Sequence, residues 1–118
     1  MDPRRAERLT ESIRTELEEI LQYELNDPRV AVAAVTDVVL SPDGKKAHVR
    51  LALEGDAEVQ AATLDAIETA KGFVRHLLAD RIDVFRVPDL RFDADIPAEV
   101  REKAPHLMRK IRRGRPKD

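Results

Sequence analysis

The stretch Thr69-Ala70-Lys71-Gly72-Phe73-Val74-Arg75 limits the fold more than any other, because it sets two small residues between two helical patterns. Ala70 and Gly72 remove side-chain bulk at one point, and glycine tolerates backbone angles that other residues resist. The spacing therefore predicts two short helices that cross closely at a bend. Lys71 and Arg75 then stand one turn apart on one helix face. An ordinary helix break with a glycine has the same local pattern, so the bend takes its meaning from the elements around it.

From Arg5 to Leu25 the apolar residues Leu9, Ile13, Leu17, Ile20 and Leu21 keep three-and-four spacing, which predicts an amphipathic helix. Asn26-Asp27-Pro28 ends it, since the residue before a proline is pushed out of the helical region. Val30 to Leu40 is dense in valine. Ser41-Pro42-Asp43-Gly44-Lys45 supplies turn chemistry, and from Lys46 to Glu54 the residues Ala47, Val49, Leu51 and Leu53 alternate with Lys46, His48 and Arg50. That is a hairpin whose sheet has one buried and one wet face. Residues 56–70 form a helical pattern through Val59, Leu64 and Ile67, with Ala61, Ala62 and Ala66 close-packed; Phe73 to Ile82 form another through Phe73, Leu77 and Leu78. Beyond Val87-Pro88-Asp89, the residues Leu90, Phe92 and Ala94 alternate with Arg91, Asp93 and Asp95 as a third strand. Residues 98–112 have helical character, with Pro105 either opening a new helix or interrupting the old one.

The expected fold class is α+β: helix, strand, strand, helix, bend, helix, strand, with a mixed three-stranded sheet and the helices on one face. Residues 1–97 make the domain, and 98–118 a basic C-terminal helix or tail, partly disordered. A chain of 118 residues suits one core of this kind.

Composition narrows the function. Charged residues make up 37%, so the faces outside the core are ionic. The absence of cysteine excludes disulfides, thiolate metal sites and thiol nucleophiles. No apolar run approaches the roughly 18 residues that cross a bilayer, and the N-terminus lacks the apolar stretch of a secretory signal. A cytoplasmic location away from membranes is expected. Tyr23, Phe73, Phe85 and Phe92 are the only aromatics, which argues against sheets or barrels that stack bases on several rings. His48, His76 and His106 fall on three elements without ligand spacing, and Asp93 and Asp95 have no partner histidine in the pattern. No phosphate-binding glycine loop or nucleophile elbow occurs. An enzyme, a metal, a cofactor and a small-molecule substrate are therefore not expected.

The net charge of -2 is unevenly spread. Arg109, Lys110, Arg112, Arg113, Arg115 and Lys117 face Asp118 alone at the C-terminus, whereas Glu54, Asp56, Glu58, Asp65 and Glu68 occupy a stretch with no Lys or Arg. The second group predicts an acidic outer face turned away from RNA, and the first a basic footprint. Arg4, Arg5 and Arg8 crowd the first helix's first turns, where positive charge opposes the helix dipole. Two readings stand there: a partner's phosphates, or a solvated end with Glu7 and Glu11 in reach.

Arg5 and Arg8 in the first helix, Asn26-Asp27-Pro28-Arg29-Val30 at its end, and Val35-Thr36-Asp37-Val38 and Ser41-Pro42-Asp43 in the hairpin form an ordered set. It continues through Ala70-Lys71-Gly72-Phe73-Val74-Arg75 and Arg86-Val87-Pro88-Asp89-Leu90-Arg91-Phe92. In this order and spacing the chain resembles the ribosome-binding factor A family of bacterial ribosome-assembly proteins, over nearly its full length. The resemblance implies a KH-like fold of the second topological type, with the family's Ala-x-Gly bend in place of the Gly-x-x-Gly backbone clamp of ordinary KH domains. The sequence departs from the family at Gly44-Lys45 and after Asp95, where the usual Ser and Arg-Ile positions are missing and Pro105 enters. The resemblance also implies a non-catalytic, monomeric factor. It would bind the immature small ribosomal subunit and its ribosomal RNA and assist late maturation of that RNA, with particular need in the cold. RNA contact is expected from Arg5, Arg8, Lys45, Lys46, Lys71, Arg75, Arg81, Arg109, Lys110, Arg112 and Arg113, arranged about the bend residues Ala70 and Gly72. The alternatives are a protein-interaction module, or a KH-like module acting on another RNA.

Overall fold

In the computed structural model, which describes residues 2–96, Asp2 accepts the Arg4 N–H at 3.1 Å and Pro3 takes the first helical position, where its missing N–H costs nothing. Helix α1 (Pro3–Glu19) thus starts two residues before Arg5 and passes into a π-helical turn, Ile20–Glu24. The wider turn shifts the helical repeat. Ile20 and Leu21, adjacent in sequence, are both buried with Ile13 and Leu17, and Gln22 donates to the carbonyls of Val32 at 3.3 Å and Ala33 at 2.7 Å.

Strand β1 (Val32–Leu40) runs antiparallel to β2 (Lys46–Leu53), and β3 (Asp89–Ala94) lies parallel on the other side of β2. The sheet is mixed and three-stranded, as expected, and its order is β1-β2-β3. Ala47, Val49, Leu51, Leu90 and Phe92 point to its buried face at the strand period of two. On β1 the buried residues are Val32, Val35 and Val38, a spacing of three. The register shifts between Val32 and Ala34 and between Val35 and Asp37 explain it, since each bulge leaves one extra residue on β1 and re-aims the next valine inward. On this outer strand Glu18 Oε1 also accepts the Val35 N–H at 2.9 Å. Glu18 and Gln22 thereby occupy backbone groups that would otherwise template a further strand.

Helix α2 (Ala57–Thr69) is entered through Gly55, whose φ of +87° suits glycine and where a Cβ would come within 2.6 Å of Val59 Cγ1. Asp56 then caps the helix by accepting the Val59 N–H at 2.9 Å. Helix α3 (Lys71–Arg81) follows after Ala70 alone, and α1, α2 and α3 close over the apolar sheet face in one core. The basic segment with Arg109, Lys110, Arg112 and Arg113 lies outside the described residues.

The bend differs from the expected one. Ala70, at φ -89° and ψ 5°, makes the turn by itself, while Gly72 lies within the first turn of α3, exposed, with no left-handed φ. A Cβ there would meet nothing within 4 Å, so no close helix crossing depends on it. Gly72→Ala should therefore stabilise the fold by about 0.5–1 kcal/mol, because alanine has less backbone freedom to lose. Thermal unfolding checks this: the midpoint should rise by a few degrees.

Candidate nucleic-acid interface

The hairpin tip is built by its polar side chains. The Ser41 hydroxyl donates to Asp43 Oδ1 at 2.6 Å and accepts the Lys46 N–H at 3.0 Å, while Asp43 Oδ1 also accepts the Lys45 N–H at 3.0 Å. Gly44, at φ +72°, closes the turn by donating to the Ser41 carbonyl at 2.9 Å. The Ser41 hydroxyl, followed by the Lys45 N–H, holds the Asp43 carboxyl below its ordinary value. Asp43 is thus an ionised turn former, and the Lys45 side chain is exposed beside it.

The segment joining α3 to β3 is fastened at both ends. Arg75 Nη2 donates to the Val87 carbonyl at 3.1 Å, and the Asp89 N–H donates to the Lys45 carbonyl at 2.8 Å, which ties the segment to the hairpin tip. Ile82, Val87 and Pro88 are buried and Val84 packs against the core, so Asp83, Phe85 and Arg86 are left facing out. The first turns of α1 stand opposite. Between them lies an open cleft of about 940 Å³ lined by Arg5, Arg8, Lys45, Phe85 and Arg86, with Leu9 and Ser12 on the α1 wall. Asp2, Asp43 and Asp83 also line it, the first two engaged as a helix cap and a turn former. Among the described residues Arg5, Arg8, Lys45 and Arg86 are exposed and have no ion-pair partner; Glu11, one turn on from Arg8, pairs instead with Arg14.

The cations around the bend are placed differently. Lys71 Nζ reaches Glu68 Oε1 at 3.3 Å, with both side chains only 25% exposed. Arg75 is half-buried; its Nη2 donates to the Val87 carbonyl, while its Nε is buried with no hydrogen-bond partner among the described residues. Arg81 lies among Glu19 at 3.0 Å, Glu24 at 3.3 Å and Glu16 at 3.7 Å, and its hydrogen bond with Glu19 raises its pKa further. It fastens α3 to α1 and the π-helical turn. Lys46, exposed on β2 beside Asp89 of β3, belongs to the outer sheet face rather than the cleft. The structure thus gathers Arg5, Arg8 and Lys45 from the sequence-predicted set, adds Arg86, and gives Lys71, Arg75 and Arg81 partners within the chain.

Arg86 is readable in the sequence as a cation flanking the last strand, but its convergence with α1 is not, because nothing in the local pattern links residues so far apart. The outer sheet face holds one further pair that the sequence pattern does not show: His48 Nε2 contacts Asp93 Oδ2 across β2 and β3. It stands on an open sheet surface. No group of three or more His, Cys, Asp or Glu able to hold a metal ion occurs among the described residues, and none of their helices is long and apolar enough to cross a membrane.

Residues 5–108 match the family model of ribosome-binding factor A. The chain belongs to that family. Ribosome-binding factor A of Solibacter usitatus is 41% identical over 113 residues, covering 96% of this chain and 92% of that protein. The crystal structure of the family member from Thermus thermophilus superposes with a TM-score of 0.67 at 29% identity, covering 75% of this chain and 93% of that one. Coordinates of the Thermus thermophilus factor fitted into a cryo-electron-microscopy map of its complex with the 30S subunit give a TM-score of 0.52 at 29% identity, covering 70% and 86%. Family membership makes the chain a ribosome-binding factor with the α+β architecture described above.

Proposed function

We propose that this chain binds immature small ribosomal subunits through their ribosomal RNA, with the cleft of Arg5, Arg8, Lys45 and Arg86 meeting phosphates, and that it assists late maturation of that RNA. The observation that carries the reading is the convergence on one cleft of four exposed cations from three separate elements, none of them with an ion-pair partner within 4 Å among the described residues. The relative fitted into a 30S complex supports the choice of partner. Four cations outnumber the cleft's three carboxylates, and two of those carboxylates, Asp2 and Asp43, accept backbone N–H groups as a helix cap and a turn former.

The mechanism involves no covalent step. A factor that binds one arrangement of RNA strands more tightly than another shifts the population by the ratio of its two affinities. At low temperature, misfolded RNA helices persist longer, and such a bias gains weight. The helices and sheet supply a rigid support, and the fastened α3–β3 segment keeps the cations at fixed spacing.

Sucrose-gradient sedimentation of the tagged chain tests this. At low salt it should travel with small subunits and their precursors, and rising salt should return it to the top of the gradient. A chain that stays at the top at every salt concentration overturns the reading, as does a chain whose pull-down partners all survive nuclease digestion.

A further inference from the structure

The chain has few aromatic rings, and their placement is uneven. Phe92 is 2% exposed and fills the core, whereas Phe85 is fully exposed at the lip of the cleft. Slack chain does not account for this. Ile82, Val87 and Pro88 on either side of Phe85 are buried, Val84 packs inward, and hydrogen bonds from Arg75 and to Lys45 fix the segment's return into β3. A phenylalanine so held gives up the burial that its apolar neighbours take, and it does so beside Arg86, in the cleft that Arg5, Arg8 and Lys45 line.

We propose that Phe85 is a stacking platform for one unpaired base of the ribosomal RNA, with the four cations holding the phosphates on either side of that nucleotide. The proposal rests on the reading of the cleft as an RNA site and adds the kind of RNA it takes: single-stranded or with a base turned out. A ring face stacks on any base, but inside a duplex both faces of each base are already covered by its neighbours. The charges supply attraction that falls with salt, and the ring supplies a contact that does not. Arg86, next in the chain, can lie along the same base or pair with its phosphate.

The chain contains no tryptophan, so Phe85→Trp installs a single fluorophore at the cleft. An unstructured oligoribonucleotide should quench it saturably, and the same strand annealed to its complement should not. Phe85→Ala should weaken binding to small subunits by about tenfold or more, with an unchanged salt slope and an unchanged circular dichroism spectrum, since the ring lies outside the core. Phe85→Leu should lose nearly as much, because it keeps the apolar bulk but not the ring. If Phe85→Ala binds like wild type while replacing the cleft arginines weakens binding, stacking is overturned and the RNA site stands. If Phe85→Leu restores the affinity that Phe85→Ala loses, or if no single strand quenches the indole, the ring enters a protein pocket and the proposal fails. Failure of the wild-type chain to bind subunits overturns the reading of the cleft itself.

Discussion

Replacing Arg5, Arg8 and Arg86 together by alanine should lower affinity for small subunits by about a hundredfold at physiological salt and flatten the slope of log affinity against log salt by about 2 to 3. Each cation that neutralises a phosphate releases condensed counterions, so removing three such contacts subtracts their share of both quantities. The fold should be unaffected. All three side chains are exposed without ion-pair partners among the described residues. Arg5 lies in the first turn of α1 and Arg8 just beyond it, where a positive charge is mildly unfavourable near a helix N-terminus, so their loss costs the helix nothing. The informative contrast is Arg81→Ala. It deletes one positive charge too, but it leaves Glu16, Glu19 and Glu24 facing one another where α3 meets α1. Arg81→Ala should therefore lower the unfolding temperature and leave the salt slope unchanged, while the triple replacement does the reverse. Filter binding at several salt concentrations, beside thermal melts, reads both. Unaltered affinity and slope in the triple variant would remove the cleft from the interface.

The contrast also shows what a sequence can carry. Helices and strands were legible because burial repeats along them: Ile13 and Leu17 on α1, Ala47, Val49 and Leu51 on β2, Leu90 and Phe92 on β3 all point inward as their spacing requires. The π-helical turn and the two bulges of β1 were not, since each inserts a residue into a repeat and is settled by partners elsewhere: Gln22 with Val32 and Ala33, Glu18 with Val35. The cations divide in the same way. Lys71, Arg75 and Arg81 look alike as charges along a helix, yet Arg75 holds the segment that carries Phe85 and Arg86, and Arg81 fastens two helices. The sequence shows that a guanidinium is present; only the fold shows whether a carbonyl, a carboxylate or open solvent faces it.

Thr63 makes the same point for stability. Thr63→Val should cost about 2 to 3 kcal/mol, although the two side chains have nearly the same shape. Thr63 is fully buried, the sole polar or charged residue so placed among the described residues. Its hydroxyl donates to the Arg29 carbonyl at 2.8 Å and accepts the Ala31 N–H at 3.2 Å. Valine would strand a donor and an acceptor in a partly buried place, and a stranded group loses its full hydration without recompense. The loss would extend along the chain, because Arg29 also pairs with Asp27 at 2.8 Å and approaches Asp65 of α2 at 3.8 Å, so that the turn after α1 is held against α2 by this cluster. For a domain of this size the unfolding midpoint should fall by roughly 10 °C. Thr63→Ser, which keeps the hydroxyl and loses a methyl group, should recover more than half of that fall. If Thr63→Val melts with the wild-type chain, the two hydrogen bonds contribute nothing net, and the junction of that turn with α2 must instead rest on Arg29 and its carboxylates.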